Sequence, residues 1–171
     1  SYVEKKDKEY LFTINWGMKS ETGDAEGKII KKKKKLPSVD CIKSVLKDFT
    51  GSLKQSPHKY SSVKINGYRA YELARKNIPF KTKEKNINVS DIKLLKSISD
   101  DRTSFYIKCS AGTYIRSLSE SLAHSLGTFG LVTELRRIGF GDLNKKLISL
   151  DYLLTLVHSD ELNKVVCPID D

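Results

Sequence analysis

The sequence predicts an α+β fold, with a mixed, largely antiparallel sheet flanked by helices. Three observations support this prediction. Short segments alternate apolar and polar side chains, as half-buried strands do. Two of these segments are separated by a short polar linker that suits an antiparallel hairpin. Other segments place apolar residues at helical spacing. The 171 residues suit one domain with a substantial core, or one domain plus a small annex, and contain no internal repeat or clean domain boundary.

The first predicted strand is Tyr10–Trp16, because every second residue is large and apolar. Tyr10, Phe12, Ile14 and Trp16 fall on one face. A turn-rich stretch, Gly17–Gly27, follows it. Further along, five consecutive lysines at 31–35 cannot pack together, which predicts an exposed loop or strand end.

Two helices are expected in the middle of the chain. Ser38 is a suitable N-cap for the first, which runs to about Phe49 before a possible C-cap at Gly51. Its predicted inner face contains Cys41, Val45 and Leu46. An Asn66-Gly67 turn then precedes a second predicted helix, Tyr68–Lys76.

In the second half of the sequence, the pattern predicts two strands, Ile87–Ile98 and Ser104–Ser110, joined as a hairpin through residues 99–102. A helix from about Tyr114 to Leu126 has an apolar stripe and ends at Gly127. A short, partly apolar segment, 131–138, carries two arginines. A final helix, 150–157, is capped by Ser149.

Composition favours a polyanionic partner without proving one. The sequence has 31 Lys and Arg against 21 Asp and Glu, a net charge of +10. Basic residues bind phosphates by releasing counterions, but a solvated, lysine-rich surface would give the same count. Cys41, Cys109 and Cys167 are far apart and the three histidines are scattered, so no metal site is expected. The unpaired thiols suit the cytoplasm, and no apolar run suggests a membrane span.

Three segments carry candidate RNA-binding chemistry. Pro57–Arg75 interleaves tyrosines with Lys59, Lys64 and Arg69, so aromatic rings could stack on bases while cations hold the backbone. Packing of the same tyrosines in a core is an equal alternative. In Lys108–Arg116, a strand turns into a helix that begins with Tyr114 and Arg116.

A buried Arg116 would need an acidic partner, and the neighbouring residues offer none. The alternative is a surface cation. The third segment is Leu135-Arg136-Arg137, for which the alternative is the amphipathic end of a helix with solvated arginines; this motif alone is a weak signal.

At these residues the sequence resembles the TruB-type tRNA pseudouridine synthases. SPHKYSSVKINGYRAYELARKNI resembles the P-x-Y-S-A-x-K segment and the tyrosine-rich helix that follows it. CSAGTYIRSLSESLAHSLG resembles the C-S-x-G-T-Y-I-R motif, and ELRRIGFG the L-R-R segment. KEYLFTINWGMKSETGDAEG resembles the K-x-Y strand and the acidic turn after it. The four motifs occur in the family's order over about residues 5–171.

The resemblance implies a cofactor-independent isomerase that converts the uridine at position 55 of the tRNA T loop to pseudouridine after flipping it out. Tyr10 would stack on the flipped base, and Arg116 would pair with the catalytic aspartate. Tyr114 and Leu135 would line the pocket. Asp24 would order the RNA-facing turn. The RNA contacts would come from Lys59, Tyr60, Lys64, Arg69, Arg136 and Arg137, within or near a T-loop clamp at about residues 58–83.

The family's G-H-x-G-T-L-D motif, with its catalytic aspartate, does not occur in this sequence. In the family it lies before the point where this chain starts, and a small C-terminal domain follows about Asp170. Ser20-Glu21 and His58-Lys59 also depart from the pattern. Residues 1–171 are therefore expected to be the central and C-terminal part of a catalytic domain. We expect a monomer that binds the tRNA T stem-loop without metal but has little turnover alone. The alternative is a non-catalytic RNA-binding or RNA-chaperone module on the same fold.

Overall fold

The computed structural model describes residues 7–32 and 36–140. The predicted final helix at 150–157 lies outside these residues. In chain order the elements are β1 Lys8–Trp16, β2 Met18–Ser20, β3 Ile29–Lys32, α1 Val39–Leu46, a 3₁₀ turn Lys47–Phe49, β4 Gly51–Gln55, β5 Lys64–Ile65, β6 Tyr68–Arg69, α2 Ala70–Arg75, β7 Lys85–Ser99, β8 Arg102–Cys109, α3 Ile115–Ser125 and β9 Gly130–Phe140.

The α+β prediction is confirmed. Five strands form one antiparallel sheet in the order β4-β7-β8-β1-β9. The predicted hairpin is the β7–β8 pair, in which Ser99 faces Arg102. Strand β1 lies between β8 and β9, so it is flanked by the strands that lead into Lys108–Arg116 and carry Leu135-Arg136-Arg137. The short pairs β2–β3 and β5–β6 form separate ribbons.

One face of the sheet holds the core, as the alternation in β1 predicts. Phe12, Ile14 and Trp16 are almost fully buried. The Phe12 and Phe105 rings stack with their centroids 5.2 Å apart. The Trp16 indole N–H donates to Thr103 Oγ1 at 2.9 Å, which satisfies its only polar group. Burial of each such side chain contributes about 2–3 kcal/mol, and helices α1 and α3 cover this face.

Helix α1 begins where predicted, with the Ser38 hydroxyl accepting from the Cys41 amide at 3.3 Å. Of its predicted inner residues, Leu46 is buried and Val45 packs, partly buried, against the core. Ile42 and Leu46 are buried, whereas Cys41 is exposed. The i, i+4 pair of larger branched residues buries more apolar area than a face containing cysteine would.

The second predicted helix begins two residues too early. Tyr68 and Arg69 are extended and pair with β5 around the Asn66-Gly67 turn. Both turn residues have positive φ, 49° and 88°, as the tightest hairpin turns require. The turn prediction is therefore confirmed, and its geometry delays helix α2 to Ala70.

The interpretation of the Arg136-Arg137 segment as a helix end is wrong, because both residues lie within the long strand β9. Strand β9 pairs with the whole length of β1, from Lys8 opposite Phe140 to Trp16 opposite Gly130. Those ladder hydrogen bonds override the weak helical pattern of the segment. Within the described part of the chain, no helix is long and apolar enough to cross a membrane.

Candidate functional site

The candidate site lies at the start of α3, which a tight turn connects to the end of β8. Gly112 has a φ of +85° in this turn, a conformation that favours glycine. The Thr113 hydroxyl donates to the Ser110 carbonyl at 2.9 Å. Tyr114 then takes the N-cap position with extended backbone. The sequence-predicted strand–turn–helix connection therefore places Tyr114 and Arg116 at the helix N-terminus.

The backbone of Tyr114 is held from both sides by Gln55, at the end of β4. The Tyr114 amide donates to Gln55 Oε1 at 2.8 Å, and Gln55 Nε2 donates to the Tyr114 carbonyl at 3.1 Å. Gln55 is buried. No sequence pattern singled out this glutamine, because its partner lies 59 residues away and the contact exists only after the fold forms.

Arg116 is a partly buried arginine that binds two loops at once. Its Nη1 donates to Asp24 Oδ2 at 2.8 Å and to the Thr22 carbonyl at 3.1 Å. Its Nη2 donates to the Tyr60 carbonyl at 3.2 Å. The planar guanidinium can bind these three acceptors at once, because its N–H donors have a fixed geometry. The surface-cation alternative does not hold, because the side chain is only 27% exposed.

Asp24 supplies the acid that the neighbourhood of Arg116 lacks in sequence. The turn that carries it is tightly bonded: the Ser20 hydroxyl donates to the Asp24 carbonyl at 2.6 Å, and the Thr22 hydroxyl donates to its carboxylate. The Val132 amide in β9 donates to the Gly23 carbonyl at 3.4 Å. The carboxylate is therefore fixed in place before any ligand arrives.

Tyr10 and Leu135 lie on the same face of the sheet as the core. Tyr10 is half-buried in β1, and Leu135 is 50% exposed on β9, opposite Phe12. The Arg137 guanidinium carbon lies 5.6 Å from the centroid of the Tyr10 ring, within cation–π distance. An exposed leucine beside a half-open aromatic ring offers an apolar surface for a planar ligand.

The two adjacent arginines point to opposite sides of the sheet. Arg137 pairs with Tyr10, whereas Arg136 pairs with Leu11. Arg136 lines a cleft on the other face with Leu11, Thr13 and Leu95. Because successive side chains alternate along a strand, only Arg137 of this pair lies beside the candidate site.

The Tyr114 phenol remains protonated across the physiological range. Burial raises the pKa of Tyr114, and the nearby Arg116 cation opposes that rise only in part. A neutral phenol can pack against an uncharged ring or donate one hydrogen bond. It is not poised to act as a base near neutral pH.

The remaining predicted RNA-binding residues lie between β4 and α2. Lys59, Lys64 and Arg69 are exposed, and Tyr60 is half-buried. Lys64 and Arg69 face each other across the β5–β6 hairpin. Arg69 Nη1 donates to the Ser62 carbonyl at 2.6 Å, so part of its hydrogen-bonding capacity already orders the loop. The described residues contain no group of three or more His, Cys, Asp or Glu side chains able to hold a metal ion.

Comparison with known proteins identifies the class. The model of the TruB family pseudouridylate synthase, N-terminal domain, matches residues 1–115. The tRNA pseudouridine synthase B of Ehrlichia canis (strain Jake) is 38% identical over 164 residues, which are 95% of this chain and 54% of that protein. The Rickettsia rickettsii (strain Sheila Smith) protein of the same name is 43% identical over 135 residues, 78% of this chain and 39% of its own length.

The chain belongs to the TruB family of pseudouridylate synthases. It spans about half the length of the curated relatives it matches. The fold resembles that in a structure of an H/ACA RNP bound to a substrate RNA containing 2′-deoxyuridine, with a TM-score of 0.65, 20% identity, and coverage of 98% of this chain and 41% of that one. It also resembles the crystal structure of a Cbf5-Nop10-Gar1 complex, with a TM-score of 0.62, 23% identity, and coverage of 96% and 40%.

Proposed function

We propose that this chain supplies most of the uridine pocket and RNA-binding surface of a tRNA pseudouridine synthase acting on the T-loop uridine at position 55. The observation that carries the proposal is the Arg116 fork at the start of α3. By this name we mean the Arg116 guanidinium and its bonds to the Asp24 carboxylate and to the Thr22 and Tyr60 carbonyls. Arg116 lies two residues after Tyr114, on a helix that covers the sheet face presenting Tyr10 and Leu135. Membership of the TruB family gives this arrangement its chemical context.

Residues 1–171 form the central and C-terminal part of the catalytic domain in this proposal, and residues 58–83 form the insertion that clamps RNA. The exposed cations Lys59, Lys64 and Arg69 support the second part, since they lie on one short stretch of loop and hairpin. Phosphate oxygens of an RNA loop are their natural ligands.

The reaction breaks the bond between C1′ and N1 of the uridine, turns the free uracil, and joins C1′ to C5, with loss of the C5 proton and uptake of a proton at N1. The protein must therefore hold the base in a closed, apolar slot while it turns. The Tyr10 ring and the exposed face of Leu135 are suited to that task because both offer apolar surface.

Arg116 orients a carboxylate in this proposal. Its hydrogen bonds to the described residues use both protons of Nη1 and one of Nη2, so Nε and one Nη2 proton are proposed to bind a second acid. Asp24 prevents the cation from being left uncompensated before that acid is bound. The sequence contains no G-H-x-G-T-L-D motif, so the nucleophilic aspartate is assigned to no residue of this chain.

The partner is tRNA, recognised through its T stem-loop, and the working unit is a cytoplasmic monomer that needs neither metal nor cofactor. The net charge of +10 supports an RNA partner. The rival function is a non-catalytic RNA-binding or RNA-chaperone module on the same fold. Membership of the TruB family favours the enzyme, whereas the bonds of Arg116 to Asp24 and to the two carbonyls would serve either function.

The deciding experiment measures tritium release from a T-arm stem-loop RNA labelled at C5 of its uridines. The chain is assayed alone and fused at its N-terminus to a segment bearing the G-H-x-G-T-L-D motif. Tritium release from the fusion, with none from the chain alone, would support the proposal. Arg116→Lys in the fusion is expected to lower the rate at least ~100-fold, because a fixed fork is replaced by a point charge. Salt-sensitive RNA binding without release from either protein would favour the binding module.

A further inference from the structure

His58 is a buried histidine that contacts two backbone segments of the site. It lies in the loop after β4 and is 9% exposed. Its Nδ1 accepts a hydrogen bond from the Tyr60 amide at 3.2 Å. Since Nδ1 acts as an acceptor here, Nε2 is the ring nitrogen left to donate. The same loop residue, Tyr60, offers its carbonyl to Arg116.

The other side of the imidazole lies against Gly23. A Cβ atom built on Gly23 would approach His58 Nε2 to 2.8 Å, and Gly23 has a φ of +74°. The glycine is therefore needed both for its backbone conformation and for the space the ring occupies. Gly23 is the middle residue of the turn whose Thr22 carbonyl and Asp24 carboxylate accept from Arg116.

Helix α3 fixes the ring from a third direction. His58 Nε2 lies 3.7 Å from Glu120 Oε1, and Lys19 Nζ lies 3.5 Å from the same oxygen. Burial alone would raise the pKa of Glu120, but His58 and Lys19 together lower it overall. The Glu120 carboxylate therefore remains ionised beside the imidazole, four residues along the helix from Arg116.

All three acceptors of the Arg116 fork thus lie on segments that His58 contacts. We propose that His58, held by Glu120, is a positioning residue that sets the geometry of the Arg116 fork. This inference rests on the proposed function only for the role of the Arg116 fork in RNA modification. The effect of His58 on the position of Arg116 is argued from the contacts alone. Because the proposed RNA clamp begins at His58, loop contacts with RNA are transmitted to Arg116 through the same ring.

The first test follows the Arg116 guanidinium by NMR in this chain, without RNA. In the unsubstituted protein its Nη protons should be distinct and slow to exchange. His58→Ala should average them and raise the exchange rate of the Tyr60 amide about tenfold or more. Unchanged Arg116 signals in a folded His58→Ala protein would overturn the proposal.

Two conservative substitutions separate the contacts and serve if the alanine protein does not fold. His58→Asn retains an acceptor near the Nδ1 position but is too short to approach Glu120. Glu120→Gln retains the volume and removes the charge. Each substitution should average the Nη proton signals of Arg116. In His58→Asn the Tyr60 amide should still exchange slowly. His124→Gln is the matched control, because His124 is an exposed histidine on the same helix; it should change neither signal.

The second test measures T-arm RNA affinity for the same proteins. His58→Ala should weaken RNA binding about threefold or more. Across the variants, the loss of affinity should increase with the averaging of the Arg116 Nη signals. If the unsubstituted chain does not bind this RNA, the proposed function fails, while the NMR result still decides the role of His58. Loosened Arg116 with unchanged affinity would overturn the transmission of loop contacts through His58.

Discussion

Arg116 is held at the start of a helix by an acid from a distant part of the chain. No acidic residue lies between Lys108 and Arg116, and its partner, Asp24, is 92 residues away. Two backbone carbonyls also accept from it. A partly buried guanidinium with one carboxylate and two carbonyl partners has its desolvation compensated. This single side chain therefore ties two loops to α3.

Replacing Gln55 should loosen the start of α3. Gln55→Leu removes both bonds to the Tyr114 backbone and leaves a donor and an acceptor unsatisfied. The expected loss is about 1–3 kcal/mol in the free energy of unfolding, measured by urea denaturation. Gln55→Glu should also destabilise, because a carboxylate cannot donate to the Tyr114 carbonyl. Ser52→Ala, an exposed change on the same strand, should cost little; an equal loss there would contradict the prediction.

The Glu120 carboxylate should make stability depend on pH at the acidic end. Its pKa in the folded protein is lowered, so its favourable interactions are fully present above the usual glutamate pKa. They are lost as pH falls through the folded value. Glu120→Gln should lower stability by about 1 kcal/mol at pH 7, and this difference should shrink towards zero below about pH 4. A difference that does not vary with pH, measured by urea unfolding, would refute this.

At the scale of elements, β9 decides which groups reach the site. A helix would have put Arg136 and Arg137 on neighbouring parts of one surface, but the strand sends them to opposite faces. Register shifts along β1–β9 occur between Glu9 and Tyr10 and between Thr13 and Ile14. The first leaves Arg137 opposite Tyr10. Such irregularities re-aim side chains at the edge of a sheet.

Arginine substitutions in β9 should therefore differ in their effect on RNA binding. Arg137→Glu should weaken T-arm RNA affinity by about 1–3 kcal/mol, because it reverses a charge beside Tyr10. Arg136→Glu, the neighbouring change on the other face, should have a clearly smaller effect. The two proteins have the same net charge, so filter binding at one salt concentration compares them directly. Equal losses would mean that RNA contacts both faces or neither.

At the scale of the whole molecule, charge governs how RNA binding responds to salt. If Lys59, Lys64, Arg69 and Arg137 each contact a phosphate, a plot of log K against log salt should have a slope of about −3. Arg137→Glu should make the slope shallower by about one unit. Fluorescence anisotropy across a salt series measures this. A slope near zero would exclude phosphate contact as the source of affinity.

The order of the elements could be predicted from the sequence because it depends on local patterns. Alternation in β1 and β8, the apolar stripe of α3 and the Asn66-Gly67 turn each fix a local conformation through burial or backbone sterics. The errors fell where local signals were weak. The start of α2 and the conformation of Arg136-Arg137 were decided by strand pairing with distant residues.

The α+β class, the family and the residues with candidate chemistry followed from the sequence, because motifs and periodicity are visible in it without knowledge of the fold. Only the tertiary structure decided their partners. Asp24 meets Arg116, Gln55 brackets Tyr114, and His58 rests on Gly23. These contacts join segments far apart along the chain. They form only when packing of the core brings α3 and the loops together on one face of the sheet.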